Sequence, residues 1–264
     1  MTRPKLTVCV ITLNEADHIE DCLRSADFAD EWVVVDSGST DGTREIAARF
    51  GATVVEREWP GHVAQKNAAL DLATHDWVLS LDADERVSDE LRASVQSALD
   101  RVGAGDTTTA FACNRRTWYL GRWIRHGGWY PDRKTRLFRR STARWGGVDP
   151  HDHVEASGPV VALDGDLLHY SYDSLSDHLR TIDSFTSIAA TEKWKAGRRA
   201  GFADLTLRPL WKFLRMYLFR GGLLDGWPGF VVAATGSFYV FLKYAKLREL
   251  GLETSSPRRG SEER

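Results

Sequence analysis

Along the first hundred positions, short unbroken apolar runs alternate with polar turns and with stretches of 3.6-residue periodicity. Residues 6–13, LTVCVITL, are the first such run and end at Asn14. Ile19, Cys22, Leu23 and Ala26 then recur at helical spacing, with Asn14 and Asp17 placed like a capping pair. Residues 32–35 run as a strand into Asp36; the loop SGSTDG follows, and a helix carrying Ile46, Ala47 and Phe50 stops at Gly51. The pattern predicts a third strand over 52–57, a helix near 62–73 and a fourth strand over 76–81. A helix follows near 88–100, with Leu91, Val95, Ala98 and Leu99 on one face and Ser88 as its N-cap. Near-continuous apolar strands alternating with helices predict a parallel sheet covered on both faces.

Residues 101–109 read as a loop, and from 110 to 170 the pattern shortens, with FACN, TRLFRR and VVALDG as strands. From about 174 onward the reading is mostly helical, broken near 197–201 and 221–229, and the polar stretch at 254–264 predicts a disordered tail.

A chain of 264 residues suits one large α/β domain, or such a domain with an appended piece. With 42% hydrophobic and 27% charged residues it predicts a folded core, and a net charge of −2 gives no sign of a nucleic-acid partner. Cys9, Cys22 and Cys113 are odd in number and match no zinc spacing. Buried free thiols in a reducing compartment are the expectation. No long apolar stretch precedes the first strand, so no signal peptide is expected. The ten tryptophans matter because both sugar-binding clefts and membrane interfaces favour that side chain.

In an open α/β sheet, ligands bind beyond the carboxyl ends of the strands. Those ends carry Asn14-Glu15, Asp36-Ser37-Gly38 and Asp82-Ala83-Asp84, so polar and acidic groups converge on one edge. Two carboxylates one residue apart in a turn, Asp82 and Asp84, can share a Mg2+ or Mn2+ ion that keeps positions open for phosphate oxygens. Asp36 can accept from a ring N–H such as that of uracil; Gly38 and Gly42 allow close backbone approach, while Asp41 or Thr43 caps the following helix.

The segments ITLNE, VVVDSGSTDGT and LSLDADE, in this order and spacing, resemble the family 2 glycosyltransferases of the GT-A fold. The resemblance implies a mixed, mainly parallel Rossmann-like sheet in which Thr12, Asn14, Glu15 and Asp36 surround the nucleotide of a nucleotide-sugar donor. It also implies that Asp82 and Asp84 hold ribose and metal, and that QKN at 65–67 lines the donor pocket. Lys66 there either reaches a phosphate or is a solvated helix lysine. The later segments GGWYPDRKTRLFRR, GGVDPHDHVE, LLHYSY and RPLWKFLRMYLFRGGLLDGWPGF resemble the branch of lipopolysaccharide core β-glucosyltransferases.

That branch implies inverting transfer, which needs a base on the acceptor hydroxyl. PHDHVE occupies the slot of the base: Asp152 is the candidate and Glu155 the reserve, while His151 and His153 are expected to make structural hydrogen bonds. Trp129, Tyr130, Asp132 and Arg136 either line the acceptor cleft or, for the two aromatic residues, pack between sheet and helices. The resulting organisation is a catalytic domain over 1–172, with a nucleotide-binding half at 1–100 and an acceptor half at 101–172. A helical membrane-proximal region at 173–253 and the tail complete it.

Residues 193–220 interleave eight basic residues, among them Lys212, Arg215 and Arg220, with Trp211, Phe213, Phe219 and several leucines. This suits an interfacial helix on an anionic leaflet, or an ordinary amphipathic helix on the catalytic domain. Residues 227–242 are uncharged but contain Pro228 and Gly229 and fall short of the roughly 18 residues of a spanning helix, so a peripheral element is expected. Together these readings imply a cytoplasmic enzyme at the inner face of a bacterial plasma membrane, taking a UDP-sugar and a glycolipid or lipid-linked glycan acceptor. Two other classes compete. A sugar nucleotidyltransferase needs a glycine-rich triphosphate loop, which ITLNEADH lacks; a non-catalytic membrane adaptor has no use for an intact acidic set.

Overall fold

The computed structural model describes residues 2–148, 151–172 and 174–253, apart from the side chains of Val148, His151 and Glu253; the expected tail at 254–264 lies outside them. The chain divides into two compact units. One comprises the chain up to Thr117 together with Pro131–Ser171, and the other Trp118–Tyr130 together with the chain from Tyr172 onward.

The first unit begins with β1 (Leu6–Thr12), α1 (Ile19–Ser25), β2 (Glu31–Asp36), α2 (Thr43–Phe50), β3 (Thr53–Glu56), α3 (His62–Leu72) and β4 (Trp77–Asp82). Then come β5 (Glu85–Val87), α4 (Asp89–Gly103) and β6 (Ala110–Tyr119), whose last two residues belong to the second unit and pair there with β7 (Arg122–Trp123). The unit resumes with β8 (Asp132–Arg139), β9 (Ala143–Val148), β10 (His151–Ala156) and β11 (Val160–His169). The main sheet runs β3-β2-β1-β4-β8-β6-β11-β5. β1 to β4 are mutually parallel where they pair, and β8 joins β4 antiparallel. Because β1 to β4 share one direction, Thr12, Asp36 and Asp82 end in register at one edge. Val8, Val10, Val34, Leu79 and Leu81 are fully buried on one sheet face; each such side chain contributes about 1.5–3 kcal/mol.

Local details depart from the periodicity. The Asn14–Asp17 pair does not cap α1: the helix starts later, with His18 at its N-cap position. Asn14 is drawn away because its Oδ1 accepts from Thr40 N at 2.9 Å, at a left-handed φ of 55° that asparagine tolerates. Ser88 does cap α4, accepting from Leu91 N. The β9–β10 hairpin and β5 carry no clean apolar–polar alternation of residue types and were not among the expected strands.

The second unit contains α5 (Leu175–Lys195), α6 (Phe202–Leu205), α7 (Leu207–Leu214), a π-helical turn over Arg215–Phe219, a 3-10 turn over Gly222–Asp225, and α8 (Gly226–Glu253). The acceptor half expected at 101–172 is therefore not one body, since 118–130 sits with these helices. Tyr119, buried, packs on Trp129, Tyr172 and His178, so Trp129 is a packing residue of this unit. Asp225, also buried, accepts from Arg125 N at 3.1 Å and His126 N at 2.8 Å and ties that excursion to the foot of α8. Lys246 on α8 donates to Asp183 Oδ1 at 2.8 Å and Ser187 Oγ at 2.7 Å on α5.

The expected break at 221–229 ends at Gly226, and α8 passes through Pro228 and Gly229 for 28 residues. Pro228 sits in the first turn, where no intrahelical N–H is needed, and a side chain at Gly229 would strike the Gly222 carbonyl. By length and composition alone, Gly222–Leu252 is apolar enough to cross a membrane; 22% of its most apolar window is buried.

Candidate active site

The strand ends and the three residues of QKN build the centre of the first unit. α3 brings Gln65, Lys66 and Asn67 to the edge, and each ties a different piece to it. Gln65 Nε2 donates to Ser37 Oγ at 3.0 Å in the loop after β2. Lys66 Nζ lies 2.9 Å from Asp82 Oδ1 at the end of β4 and 2.9 Å from Asp152 Oδ2 on β10. Asn67 exchanges two hydrogen bonds with the Trp145 backbone on β9, at 2.9 and 3.1 Å. Lys66 is 5% exposed, so of the two sequence readings the solvated lysine is excluded. Its ammonium also sits 4.3 Å from the centre of the Trp145 ring.

Asp82 is held from both sides: Arg136 Nη2 reaches its Oδ2 at 2.9 Å. Arg136 also pairs with Glu85 Oε1 at 2.5 Å, and Glu85 Oε2 accepts from Asp82 N at 3.0 Å. Burial would raise the Asp82 carboxyl, but Lys66 and Arg136 outweigh it and hold it well below the usual carboxylate range. Arg136 is buried and keeps Nε and Nη1 without a hydrogen-bond partner among the described residues. Asp132 pairs with Arg115 at 2.9 Å and with Lys134 at 3.1 Å. A cavity of about 390 Å3 opens here, lined by Lys66, Arg115, Arg133, Lys134 and Arg136 against Asp82 and Asp152. The excess of cations favours a polyanion such as a diphosphate.

On β10 the side chains alternate: Asp152 and Val154 face inward, His153 and Glu155 outward. Glu155 is two-thirds exposed beside His153, on the opposite face of the strand from Asp152. The side chain of His151 lies outside the described residues.

Asp84 finds a partner that the sequence reading passed over. His169, at the end of β11, places Nε2 3.1 Å from Asp84 Oδ2, and Tyr170 N donates to the Asp84 carbonyl at 2.9 Å. The expectation that Asp82 and Asp84 share a cation therefore meets a different arrangement. Both Asp82 oxygens are engaged by cationic side chains, and it is His169 that stands beside Asp84. One carboxylate oxygen beside one imidazole nitrogen would suit Mn2+ better than the strictly oxygen-seeking Mg2+. Among the described residues no three His, Cys, Asp or Glu side chains gather as a metal group. Only Leu167 and Leu168 stand between Asp166 and His169, a weaker strand-end signal than the run before Asp82.

The loop after β2 is organised by Asp36. Fully buried, it accepts from Gly38 N at 2.9 Å and Ser39 N at 2.8 Å through Oδ1, and from the Ser39 hydroxyl through Oδ2. A nucleotide ring touches Asp36 only if that loop moves aside. Gly38 holds φ at 95°, which excludes larger residues there. Thr12 is buried with its hydroxyl unpartnered among the described residues; Asn14 and half-buried Glu15 flank it, and Glu15 N donates to Thr43 Oγ1 at 2.8 Å. Asp41 ties the Thr43 and Ala16 backbones rather than capping α2, whose N-cap position is Gly42. The three cysteines are buried free thiols; burial pushes Cys113 up to about 12.

A mixed, mainly parallel sheet with acidic strand ends and a cationic pocket is the arrangement of a GT-A-like glycosyltransferase. Residues 7–154 match the family described as glycosyl transferase family 2, more than half of the chain. The chain belongs to that family and is a glycosyltransferase. It is similar to the lipopolysaccharide core biosynthesis glycosyltransferase LpsC of Rhizobium meliloti, 31% identical, covering 92% of this chain and 91% of that protein. It is also similar to an uncharacterized glycosyltransferase of Rickettsia prowazekii, 30% identical over 96% of this chain and 89% of that one. Among solved structures, S. aureus TarS in complex with UDP-GlcNAc is similar at 15% identity and a TM-score of 0.48, covering 97% of this chain and 93% of that one.

Proposed function

We propose that the enzyme moves a sugar, such as glucose, from a UDP-sugar to a hydroxyl of a glycolipid or lipid-linked glycan, with inversion at the anomeric carbon. The setting we propose is assembly of the lipopolysaccharide core or another cell-envelope glycan at the cytoplasmic face of a membrane. Similarity to LpsC over both units supports that setting.

The observation that carries the reading is the Asp82–Lys66–Asp152 chain. The cationic pocket takes the diphosphate, and Lys66 exchanges its contact with Asp152 for a phosphate oxygen. Asp152 is then free to take the proton of the acceptor hydroxyl as that oxygen attacks. Asp84 and His169 would hold a divalent cation, which when bound supplies charge neutralisation on the leaving diphosphate. Arg136 holds Asp82 in place from the wall of the same pocket. On the second unit, Phe202, Trp211 and Phe219 are 77, 57 and 72% exposed among arginines and lysines, which supports attachment to an anionic surface.

The test is calorimetric titration with UDP, GDP and dTDP, with and without Mn2+, followed by transfer assays with the preferred nucleotide's sugars. Metal-dependent binding of one nucleotide, and a product of inverted anomeric configuration by NMR, are expected. No binding by the folded protein, or a retained configuration, would overturn the reading.

A further inference from the structure

The second unit forms a half-open pocket of about 320 Å3, lined by none of the residues of the Asp82–Lys66–Asp152 site. That volume falls at the lower end of the roughly 300–1,000 Å3 of small-ligand sites. Its walls come from the 127–129 loop, α5, the π-helical turn and α8: Trp129, Phe185, Met216 and Tyr239 among them, with Lys212 and Arg220 at the same space. Neither cation has an ion pair or side-chain hydrogen bond among the described residues. The carboxylates of Asp183, Asp204 and Asp225 are spoken for by Lys246, Arg208 and His126.

Two like charges over an aromatic wall, with no counter-charge, favour an anionic occupant. Burial, and then the adjacent Arg220 and Arg215, lower the Lys212 ammonium from its usual range. An anion between Lys212 and Arg220 would reverse that penalty. The backbone is shaped around Arg220. Gly127 N donates to the Arg220 carbonyl at 2.9 Å, and Gly128 has a φ of 87° where a methyl would run into the Arg220 guanidinium. Past the charge, Trp129, Phe185 and Met216 present mostly ring, hydrocarbon and thioether surface to the cavity, while Thr181, Thr235 and Tyr239 add hydroxyls to its lining.

We propose that this cavity binds a phosphate-bearing lipid, with Lys212 and Arg220 on the phosphate and Trp129, Phe185 and Met216 along the first part of the hydrocarbon. The proposal rests on the membrane-surface part of the proposed function, and it is separate from the chemistry of the first unit.

The probe is dihexanoyl phosphatidic acid below its critical micelle concentration, titrated calorimetrically into the full chain. Inorganic phosphate and dihexanoyl phosphatidylcholine serve as comparisons. The phosphatidic acid is expected to bind at least about tenfold more tightly than either. Lys212→Gln/Arg220→Gln should weaken it about tenfold or more with UDP affinity unchanged. Arg220→Gln alone, at an exposed side chain with no hydrogen bond to lose, should weaken it by a smaller factor if the double variant fails to fold. Equal binding of phosphate would make this a free-phosphate site. Equal binding of phosphatidylcholine, or unchanged affinity in the variants, would likewise overturn the proposal. Binding of phosphatidic acid by a protein that does not sediment with phosphatidylglycerol vesicles would uphold the cavity while refuting surface attachment.

Discussion

Lys66 Nζ stands 2.9 Å from Asp152 Oδ2, joining residues 86 positions apart on α3 and the β9–β10 hairpin. The contact depends on Asn67, one residue on, whose two hydrogen bonds to Trp145 hold the hairpin against α3. Register along α3 thus sets where the candidate base lies relative to the strand-end carboxylates.

Asp152→Asn should lower kcat about 100-fold or more, the usual scale for losing a general base, with UDP affinity unchanged in calorimetry. Glu155→Gln should leave kcat near that of the parent, because its side chain lies on the exposed face of β10. If Glu155→Gln were the slow variant, the base would be Glu155.

Metal dependence should track Asp84 and His169. In His169→Ala the enhancement of UDP binding by Mn2+ should disappear, while binding without metal persists. Unchanged metal dependence would remove His169 from the cation site.

Asn67→Ala should destabilise the first unit by about 1–3 kcal/mol, since a backbone N–H and a carbonyl of Trp145 lose their partner. Chemical denaturation would read the loss. Activity should fall as well, because the hairpin carrying Asp152 is unlatched.

Acid should weaken the second unit through His178, which burial pushes down from 6.5 to about 4. Tyr119, itself raised to about 12 by burial, stays protonated, and its hydroxyl shares a 2.7 Å hydrogen bond with His178 Nδ1. The folded state keeps His178 neutral while the unfolded chain binds a proton below about pH 6.5. Stability is therefore fully present above that value and falls toward pH 4, by about 3 kcal/mol. Denaturation curves of His178→Phe should lose most of this slope; an unaltered slope would place the acid sensitivity elsewhere.

Attachment to an anionic surface should weaken in Trp211→Ser/Phe219→Ser, whose rings lie 5.6 Å apart on the exposed face. Co-sedimentation with phosphatidylglycerol vesicles should drop, and unchanged sedimentation would refute the role of that face.

Much of the first unit was legible in the chain because its signals are local. Apolar runs such as LTVCVIT need only be strands in one direction for Thr12, Asp36 and Asp82 to meet at one edge. The positive φ at Gly38 and the Ser88 cap are likewise properties of a few neighbouring residues. What tertiary structure alone decided was pairing at long range. Whether Asp84 meets Asp82 or His169, whether Lys66 is solvated or locked between two carboxylates, and whether Asp36 faces a ligand or its own loop all depend on which strands and helices abut. The division into units is of the same kind: Trp118–Tyr130 joins helices more than forty positions away, where Tyr119 and Ile124 share a core with Met216 and Val232 and Asp225 accepts from two of its backbone N–H groups. Hydrophobic periodicity reports which face of an element is buried, and a buried charge is settled only by the partner that packing brings to it.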